Sequence, residues 1–457
     1  MKILFVSCAY TPYHRGGVAK LLINLSMELT KRKHKVYVFS LLDESSIKES
    51  EIKNIEISGH QIRFINIPGS SLTDFYGRYR KEDYYNPGVN PAFKSYLDEI
   101  KPDVVHFHAI QGLGANLITE AHELGYPTIL TMHDMWWFCP NLFMTDLNLK
   151  PCNQNEINSQ KCINCLENLN EISGFKNVDF KSFVIERDLY LNKILENDVG
   201  RLLTNSQILK KNVQHNTTCN IQVNENGIIK VSEIIEKSVD PHNIVFGFVS
   251  GKSELKGYNL LMDAFRSIKL SNWELHIYGF EKMGLQNWYN ILILSLKNRT
   301  VKSDLLRLIN NKKKKSISEK IKYFPSYSDS EKYTTLNTLD IIIIPSIIRE
   351  SFSLIAREGL MLKKPIICSD CGGPEEVIEN NVNGFVFKTN NVEDLKTKIC
   401  AILENPSLIY KLKSNIKIHK IISIEEQVND LETVYNQISK GPKLVPKTLP
   451  CPTSDLN

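Results

Sequence analysis

Two glutamates, Glu350 and Glu358, lie eight positions apart in the segment RESFSLIARE, with only Arg357 charged between them. A helix is predicted from Ser351 to Lys363, and it would separate the two carboxylates by about 12 Å along its axis. Two carboxylates that act together on one glycosidic bond lie roughly 5 to 9.5 Å apart. The spacing therefore favours contacts to two parts of one extended ligand over a shared acid and base. An acidic helix start with a solvated second glutamate is the alternative.

Three features of the sequence could bind phosphate. Free amide groups at a helix start attract anions, glycine allows a backbone to approach a phosphate closely, and lysine supplies positive charge. Each feature alone is also typical of an ordinary turn or a solvated loop, and no GxGxxG or GxxxxGK[ST] pattern accompanies them. The candidates are the predicted helix start at Ser351, Phe352 and Ser353, the glycines Gly16 and Gly17 after the first predicted strand, and Lys252 and Lys256 in SGKSELKG.

A histidine and an aspartate follow a predicted buried strand in PTILTMHD. His133 and Asp134 come at the end of this strand, where side chains of an α/β sheet meet ligands. Histidine titrates near neutral pH, which suits it to polar contacts and proton transfer. A histidine bonded within its own loop is the alternative. His106 and His108 share one face of a neighbouring predicted strand, and we expect them to pack at the strand end.

Four cysteines follow this histidine, namely Cys139, Cys152, Cys162 and Cys165, with 12, 9 and 2 residues between them. A CxxC pair with two more distant partners is a moderate signal of a structural metal site. One interpretation is a structural zinc ion or, less readily, an iron–sulfur cluster. The other is a set of free or loop-buried thiols. A bound metal would have four protein ligands, so the site would order a loop and leave no coordination position for chemistry.

Short apolar runs alternate with helical patterns along the chain, and these elements must position the candidate residues. KILFVSC, KVYVFSLL, IRFINI, VVHFH and PTILTM are predicted strands of one set. NIVFGFV, ELHIYGF, IKYFPSY, DIIIIPS, PIICSD and GFVFKT are those of a second. Such alternation predicts parallel sheets with helices on both faces. We therefore predict an α/β protein of two doubly wound, Rossmann-like domains that face a central cleft, with ligands at the carboxyl ends of the strands.

The two sets of strands divide the chain. We predict a first domain over residues 1–230, which includes the cysteine-rich loop 139–165, and a second over residues 240–422. The stretch VSEIIEKSVDPHN between the two sets is the predicted linker. A helix predicted over residues 423–440 would pack back towards the first domain. Residues 441–457 contain four prolines and are predicted to form a flexible tail.

Composition argues against several classes of protein. The 457 residues are 42% hydrophobic and 23% charged with a net charge of +5, too mild for a dedicated nucleic-acid binder. The apolar runs are shorter than the roughly 18 residues that cross a bilayer, and no cleavage site follows the N-terminal run. We therefore expect a cytoplasmic protein. A basic segment from Lys297 to Lys322 is either a peripheral contact to anionic lipid at the inner membrane face or a solvated insertion.

Taken in order, these motifs resemble those of a known enzyme family. The first domain has a GG loop after its first strand and an HD pair after a mid-domain strand. The second domain has a KG helix start, followed by E-x7-E and then GGxxE. The chain is similar to the retaining, nucleotide-sugar-dependent glycosyltransferases of family 4, which have the GT-B fold. The resemblance covers nearly the whole chain. Its most specific part is IIIIPS with E-x7-E and the downstream GGPEEVI.

The resemblance implies a role for each residue around the two glutamates. Glu358 is expected to bind the ribose hydroxyls of the nucleotide. Glu350 is expected to lie by the donor sugar, on the leaving side of its anomeric carbon. The amides of Ser351, Phe352 and Ser353 would hold sugar and phosphate.

The resemblance also implies how the leaving diphosphate is stabilised. Lys256 and the backbone of Gly16 and Gly17 would neutralise its charge. Family members often have an arginine before this lysine, whereas this chain has Lys252, a point charge in place of a bidentate guanidinium. No cofactor or metal ion is required for catalysis, because lysine and helix ends stabilise the departing group. Retention would follow from attack on the same face, with the leaving phosphate taking the acceptor's proton.

The remaining implications concern the first domain and the partners. His133 would contact the transferred sugar, and Tyr13, Arg15, Asp134 and the cysteine loop would face the acceptor. The expected donor is a UDP- or GDP-sugar, the acceptor a glycan or a lipid-linked glycan, and the pathway surface polysaccharide biosynthesis. Alternatives are another two-domain sugar enzyme, such as a nucleotide-sugar epimerase or a glycan phosphorylase, and a non-catalytic zinc-containing binding protein.

Overall fold

A computed structural model describes residues 1–14, 16–42, 51–66, 79–146, 152, 159–172, 179–231, 237–279 and 319–439. Arg15, residues 297–318 of the basic segment and the predicted tail from residue 441 lie outside these ranges. The chain divides into two units, Met1–Ile229 with Ile422–Asn457, and Lys230–Ile421. None of the helices within the described ranges is both long and apolar enough to span a bilayer.

The first unit contains an eight-stranded sheet. Its strands are β1 (Lys2–Ser7), β2 (Lys35–Leu41), β3 (Glu51–Ile57), β4 (His60–Asn66), β5 (Val104–Phe107), β6 (Thr128–Met132), β7 (Arg201–Thr204) and β8 (Ile221–Val223). Their order is β3-β4-β2-β1-β5-β6-β7-β8, and all neighbours are parallel except β3 with β4. The strand order reverses between β1 and β5, and doubly wound sheets bind ligands beyond the carboxyl ends of strands at such a point.

Helices cover this sheet because each buries one apolar stripe. The helices are α1 (Gly17–Lys31), α2 (Asn90–Ile100), α3 (Asn116–Glu123), α4 (Ser159–Ile172), α5 (Phe180–Asn197) and α6 (Gln207–Gln214), with short 3-10 turns at Lys81–Asp83 and Pro87–Val89. In α1 the buried leucines are Leu21, Leu22, Leu25 and Leu29, the stripe that the sequence predicts.

The second unit contains a six-stranded parallel sheet. Its strands are β9 (Ile244–Val249), β10 (Trp273–Tyr278), β11 (Ile321–Phe324), β12 (Ile341–Ile344), β13 (Ile366–Ser369) and β14 (Gly384–Phe387). Their order is β11-β10-β9-β12-β13-β14, the strand order of dinucleotide-binding sheets, with its reversal between β9 and β12. The helices are α7 (Tyr258–Ser267), α8 (Lys332–Asn337), α9 (Leu354–Met361), α10 (Val392–Glu404) and α11 (Ser407–Ser414), with 3-10 turns at Gly373–Glu376 and Ile418–Lys420.

The last helix, α12 (Ile424–Ser439), belongs to the first unit. Val428, Leu431 and Val434 are buried among residues of α1 and of the sheet. The Tyr435 hydroxyl lies 2.8 Å from Nδ1 of His106 at the end of β5. Apolar burial and this buried hydrogen bond together hold α12 in the core.

The fold class predicted from the sequence is confirmed, since both units are doubly wound α/β sheets. The helix after β12, however, begins at Leu354 and not at Ser351. Glu350 pairs with the next loop, because its amide donates to the Cys371 carbonyl at 2.8 Å and its carbonyl accepts from the Gly373 amide at 2.7 Å. Ser353 has a φ of 68°, which a right-handed helix excludes. The predicted placement of Ser351, Phe352 and Ser353 in the first helical turn is therefore wrong.

Candidate active site

An ion pair lies where the order of the second sheet reverses. Lys256 follows β9 and Glu350 follows β12, and Lys256 Nζ donates to Glu350 Oε1 at 2.6 Å. Ser346 Oγ donates to the same oxygen at 2.5 Å. Burial alone would raise the pKa of Glu350, but the Lys256 charge and the two hydrogen bonds outweigh it and hold the pKa below its ordinary value. The site therefore presents a carboxylate and an ammonium at the strand ends at neutral pH.

Glycine fixes the position of this lysine. Gly257 has a φ of 83°, and a Cβ added to it would lie 1.9 Å from the carbonyl oxygen of Pro345. The loop after β9 can therefore pack against the end of β12 only with glycine at this position. The Ile347 amide also donates to the Leu255 carbonyl at 3.0 Å. These contacts join the two loops and place Lys256 beside Glu350.

A buried arginine organises the loop between Glu350 and α9. Arg357 is 1% exposed, and its guanidinium donates to the carbonyl of Phe352, to that of Gly373 at 3.2 Å and to Glu376 at 3.0 Å. A Cβ on Gly373 would lie 2.4 Å from the Phe352 nitrogen, so the two loops approach closely. Arg357 therefore ties α9 to both loops.

Glu358 faces the interior of the second unit. Its carboxylate accepts a hydrogen bond from Lys332 of α8, and the two side chains are only 9% and 10% exposed. The Lys332 ammonium also lies 4.9 Å from the Tyr333 ring centroid. The alternative of a solvated second glutamate is therefore wrong. Lys332 holds the Glu358 carboxylate on the side of α9 that faces α8.

The predicted phosphate contacts outside this cluster lie at loop surfaces. Gly16 and Gly17 are exposed, and Gly16 is the residue before α1, where an added Cβ would meet nothing within 4 Å. Lys252 is exposed in the loop after β9. Tyr13 is half-buried, and its ring packs edge-on against Phe64 at 4.8 Å. Tyr13 therefore supports the first sheet as well as the loop after β1.

Three histidines meet at the strand ends of the first unit. His133 Nε2 lies 2.9 Å from His108 Nδ1, and His106 bonds Tyr435 and Thr131. Burial lowers the pKa of His133 to about 4, and burial with the nearby His133 lowers that of His106 to about 3. All three imidazoles lie in a low-dielectric interior. His133 is therefore neutral at pH 7 and suited to hydrogen bonding.

Asp134 closes the turn after β6. Its Oδ1 accepts from the Trp136 amide at 2.8 Å. Burial raises the pKa of Asp134 to about 6, although the Trp136 amide and the Arg187 charge act in the opposite direction. With His108, His133 and Trp136 it lines a cavity of about 10 Å³. The His108 Nε2 atom is buried there without a hydrogen-bond partner among the described residues, so a polar atom at the strand ends remains to be satisfied.

The structure brings the four predicted cysteines together at one cavity. Cys139, Cys152, Cys162 and Cys165 all contribute to its wall. Within the described ranges, no three His, Cys, Asp or Glu side chains are already arranged to hold a metal ion.

Three contributors to the site were missed from the sequence, namely Ser346, Lys332 and Arg357, and His108 was expected only to pack at the strand end. Ser346 directly follows the proline of IIIIPS, so its position at a strand end was the available signal. Lys332 and Arg357 carried no signal, because long charged side chains are normally solvated and only tertiary packing buries these two. His108 shares a strand face with His106, and its contact with His133 required the pairing of β5 with β6.

Known proteins with similar sequences include glycosyltransferases. The family model "Glycosyltransferase Family 4" matches residues 15–228, and "Glycosyl transferases group 1" matches residues 231–419. An uncharacterized glycosyltransferase of Methanocaldococcus jannaschii is 25% identical over 443 residues, 96% of this chain and 99% of that protein. The N,N'-diacetylbacillosaminyl-diphospho-undecaprenol alpha-1,3-N-acetylgalactosaminyltransferase of Campylobacter jejuni is 38% identical over 80 residues, 18% of this chain and 21% of that enzyme.

Solved structures show the same fold. Sucrose-phosphate synthase of Thermosynechococcus elongatus aligns with a TM-score of 0.66 at 14% identity, over 96% of this chain and 98% of that one. Anabaena HepE, solved in complex with UDP, aligns with a TM-score of 0.60 at 15% identity, over 95% of this chain and 100% of that one. The epimerase, phosphorylase and non-catalytic alternatives find no support here. Since the two family models together match most of residues 15–419 and the fold is GT-B, the chain belongs to family 4 of the glycosyltransferases.

Proposed function

We propose that this glycosyltransferase moves a sugar from a nucleotide diphosphate sugar to a glycan or lipid-linked acceptor and retains the anomeric configuration. The observation that supports this most is the half-buried Lys256–Glu350 pair at the reversal point of the second sheet. The ammonium suits a diphosphate, and the carboxylate beside it suits a sugar hydroxyl or a developing positive charge. Anabaena HepE, which shares the fold, was solved with UDP, which favours a UDP-sugar over a GDP-sugar.

On the donor side, each residue has a distinct role in this proposal. Glu358 accepts hydrogen bonds from the ribose hydroxyls, and Lys332 orients that carboxylate through its own hydrogen bond. Lys256 neutralises the diphosphate together with Lys252 and the backbone at Gly16 and Gly17. The loop of Ser351, Phe352 and Ser353, held by Arg357, lies against sugar and phosphate through its backbone.

The chemical step follows from the charges. The acceptor hydroxyl attacks the anomeric carbon on the face from which the diphosphate departs, and the departing phosphate oxygen takes the acceptor's proton. Lys256 offsets the growing negative charge, so the transfer needs no metal ion for that purpose. Glu350 stabilises the positive charge that develops on the sugar. His133 is neutral because burial lowers its pKa to about 4, so it hydrogen-bonds a sugar hydroxyl and does not donate a proton.

The acceptor side of the proposal rests on the first unit. Tyr13 and Asp134 follow β1 and β6. We propose that they contact the acceptor together with Arg15, which lies outside the described residues. The Campylobacter jejuni relative acts, by its name, on a diphospho-undecaprenol carrier. This supports a lipid-linked acceptor and a role in surface polysaccharide biosynthesis. An enzyme on such an acceptor would work in the cytoplasm at the inner membrane face.

Calorimetry with UDP, GDP and their sugars, in the presence of a chelator, tests the donor site. We expect one nucleotide to bind to the wild type and to bind Lys256→Ala at least tenfold more weakly. Glu404→Gln, which changes an exposed carboxylate of the same unit, is the control. NMR of the product would then give the anomeric configuration. If no nucleotide binds, or if Lys256→Ala binds as the wild type does, the proposal fails.

A further inference from the structure

The four cysteines of the first unit line one cavity of about 50 Å³, although Cys139 and Cys162 are 23 positions apart in the chain. Cys162 and Cys165 lie in the first turns of α4, on the helix face that turns towards the segment after β6. The Cys152 amide donates to the Met144 carbonyl at 2.6 Å, which holds it beside the same segment. The fold therefore gathers four thiols from three separate stretches of chain.

Donor groups around the cavity are directed at sulfur. Burial raises the pKa of the Cys139 thiol to about 12, and the nearby backbone amides of Asn141 and Met144 act in the opposite direction. The Asn141 side-chain amide also donates to Cys165 Sγ at 3.5 Å. Leu142 and Met144 have positive φ values of 68° and 51°, a conformation that is unfavourable for non-glycine residues by about 1–3 kcal/mol each. The turn thus brings N–H groups close to the cysteine sulfurs, and such donors support metal-bound thiolates from outside the ligand set.

A buried cation lies next to the same cavity. Arg187 of α5 is 2% exposed, stacks 5.2 Å from the Trp136 ring centroid and donates to the Trp136 carbonyl. Its charge lowers the pKa of the Cys139 thiol, although burial outweighs this effect. Its carboxylate neighbour, Asp188, is 3.4 Å away and partly exposed. Asp188 supplies a negative charge to this buried guanidinium, and an anionic metal–thiolate centre at the cavity would supply more.

We propose that Cys139, Cys152, Cys162 and Cys165 bind one structural zinc ion. On binding, each thiol releases its proton and forms one Zn–S bond, so that the ion with four thiolates has a net charge of −2, which Arg187 partly offsets. The described side chains are not yet at ligating positions, so they turn inward as the ion enters. All four positions are filled by protein, which leaves none for substrate or for a catalytic water.

The ion would fix the segment that carries the candidate sugar-binding histidine. Cys139 follows His133 by six positions, and Trp136 between them lines the small cavity with His108 and His133. Arg187 joins the same tryptophan to α5. Zinc at the thiols would therefore hold the segment after this strand end in one conformation.

Metal analysis of the full-length protein, purified with reductant from cells grown with zinc, tests this proposal independently of activity. We expect one zinc per chain and loss of most of it in Cys162→Ser and Cys165→Ser. Cys400→Ser, in α10 of the second unit, should keep the zinc. In the wild type, chelation should expose four additional reactive thiols. Co²⁺ should restore the metal content, with the visible absorption of a tetrahedral thiolate complex.

Several results would overturn the zinc assignment. They are a protein without metal that also fails to take up Co²⁺, a Cys162→Ser protein with undiminished zinc, or iron in place of zinc. Disulfides between these cysteines in the protein as isolated would overturn it too. The chelation experiment uses the wild type, so a serine variant that fails to fold leaves the proposal testable.

Discussion

Removing the Lys332 ammonium should destabilise the second unit, because Glu358 would then be buried without its cation. The two side chains are 10% and 9% exposed and hydrogen-bonded to each other. Lys332→Met keeps most of the packing volume and removes only the charge. Glu358→Gln is the complementary change, which leaves the lysine without its partner.

The expected loss of stability follows from the burial of the ion pair. Breaking a buried ion pair by removing one partner costs about 3–5 kcal/mol. For a unit of this size each kcal/mol lowers the melting temperature by about 2–4 °C. Each single variant should therefore melt roughly 6–20 °C below the wild type. The double variant has no buried charge left unpaired, so its free energy of unfolding should fall no further than that of one single variant. The coupling energy between the two positions is then about 3 kcal/mol.

Differential scanning calorimetry of the full-length protein measures this, with wild type, both single variants and the double variant. Asp263→Asn breaks the exposed pair of Asp263 with Arg266, whose side chains are 58% and 36% exposed, and should change the melting temperature little. If the two single effects simply add in the double variant, the coupling is absent and the reasoning is refuted. The double variant also separates loss of nucleotide binding from loss of folding, which Glu358→Ala alone cannot do.

Three further outcomes follow from the geometry. Gly257→Ala should lower the melting temperature and weaken nucleotide binding, since its Cβ would lie 1.9 Å from a carbonyl oxygen, whereas Gly16→Ala should melt like the wild type. Because burial lowers the pKa of His106 to about 3 and of His133 to about 4, only the unfolded chain binds these protons below about pH 6.5. Stability in urea should therefore fall by up to about 1.4 kcal/mol per pH unit for each histidine as pH drops from 6.5 to 5, and a flat profile would contradict their burial. Tyr435→Phe should cost about 1–3 kcal/mol in the same assay because it leaves the His106 Nδ1 unsatisfied.

The sequence predicts most central strands but misses both edge strands of the first sheet, β3 and β8, and the short interior strand β7 beside β8. A run of four isoleucines before proline is a strand buried on both faces, as β12 is. The edge strand β3 has charged residues on its exposed face and no continuous apolar run, and it was missed. β8 has only three residues, too few to show a period. Edge strands receive less burial, so their sequences are less constrained towards apolar residues.

The candidate site shows where a single sequence stops being informative. Residue type and position at a strand end single out Lys256 and Glu350, yet their contact joins residues 94 positions apart and depends on β9 lying next to β12. The start of α9 was misplaced because Ser353 adopts a positive φ that no local pattern requires. Its conformation follows from the close approach of two loops, which only tertiary packing determines.

The position of α12 has a consequence for how the protein is made. This helix completes the core of the first unit, yet residues 230–421 are synthesised before it. At roughly 5–20 residues per second, translation of that stretch takes roughly 10–40 s. During this time α12 cannot yet cover the apolar cluster that it shares with Ile3, Phe5 and Val38. The nascent first unit therefore presents an apolar face to chaperones until the second unit has left the ribosome.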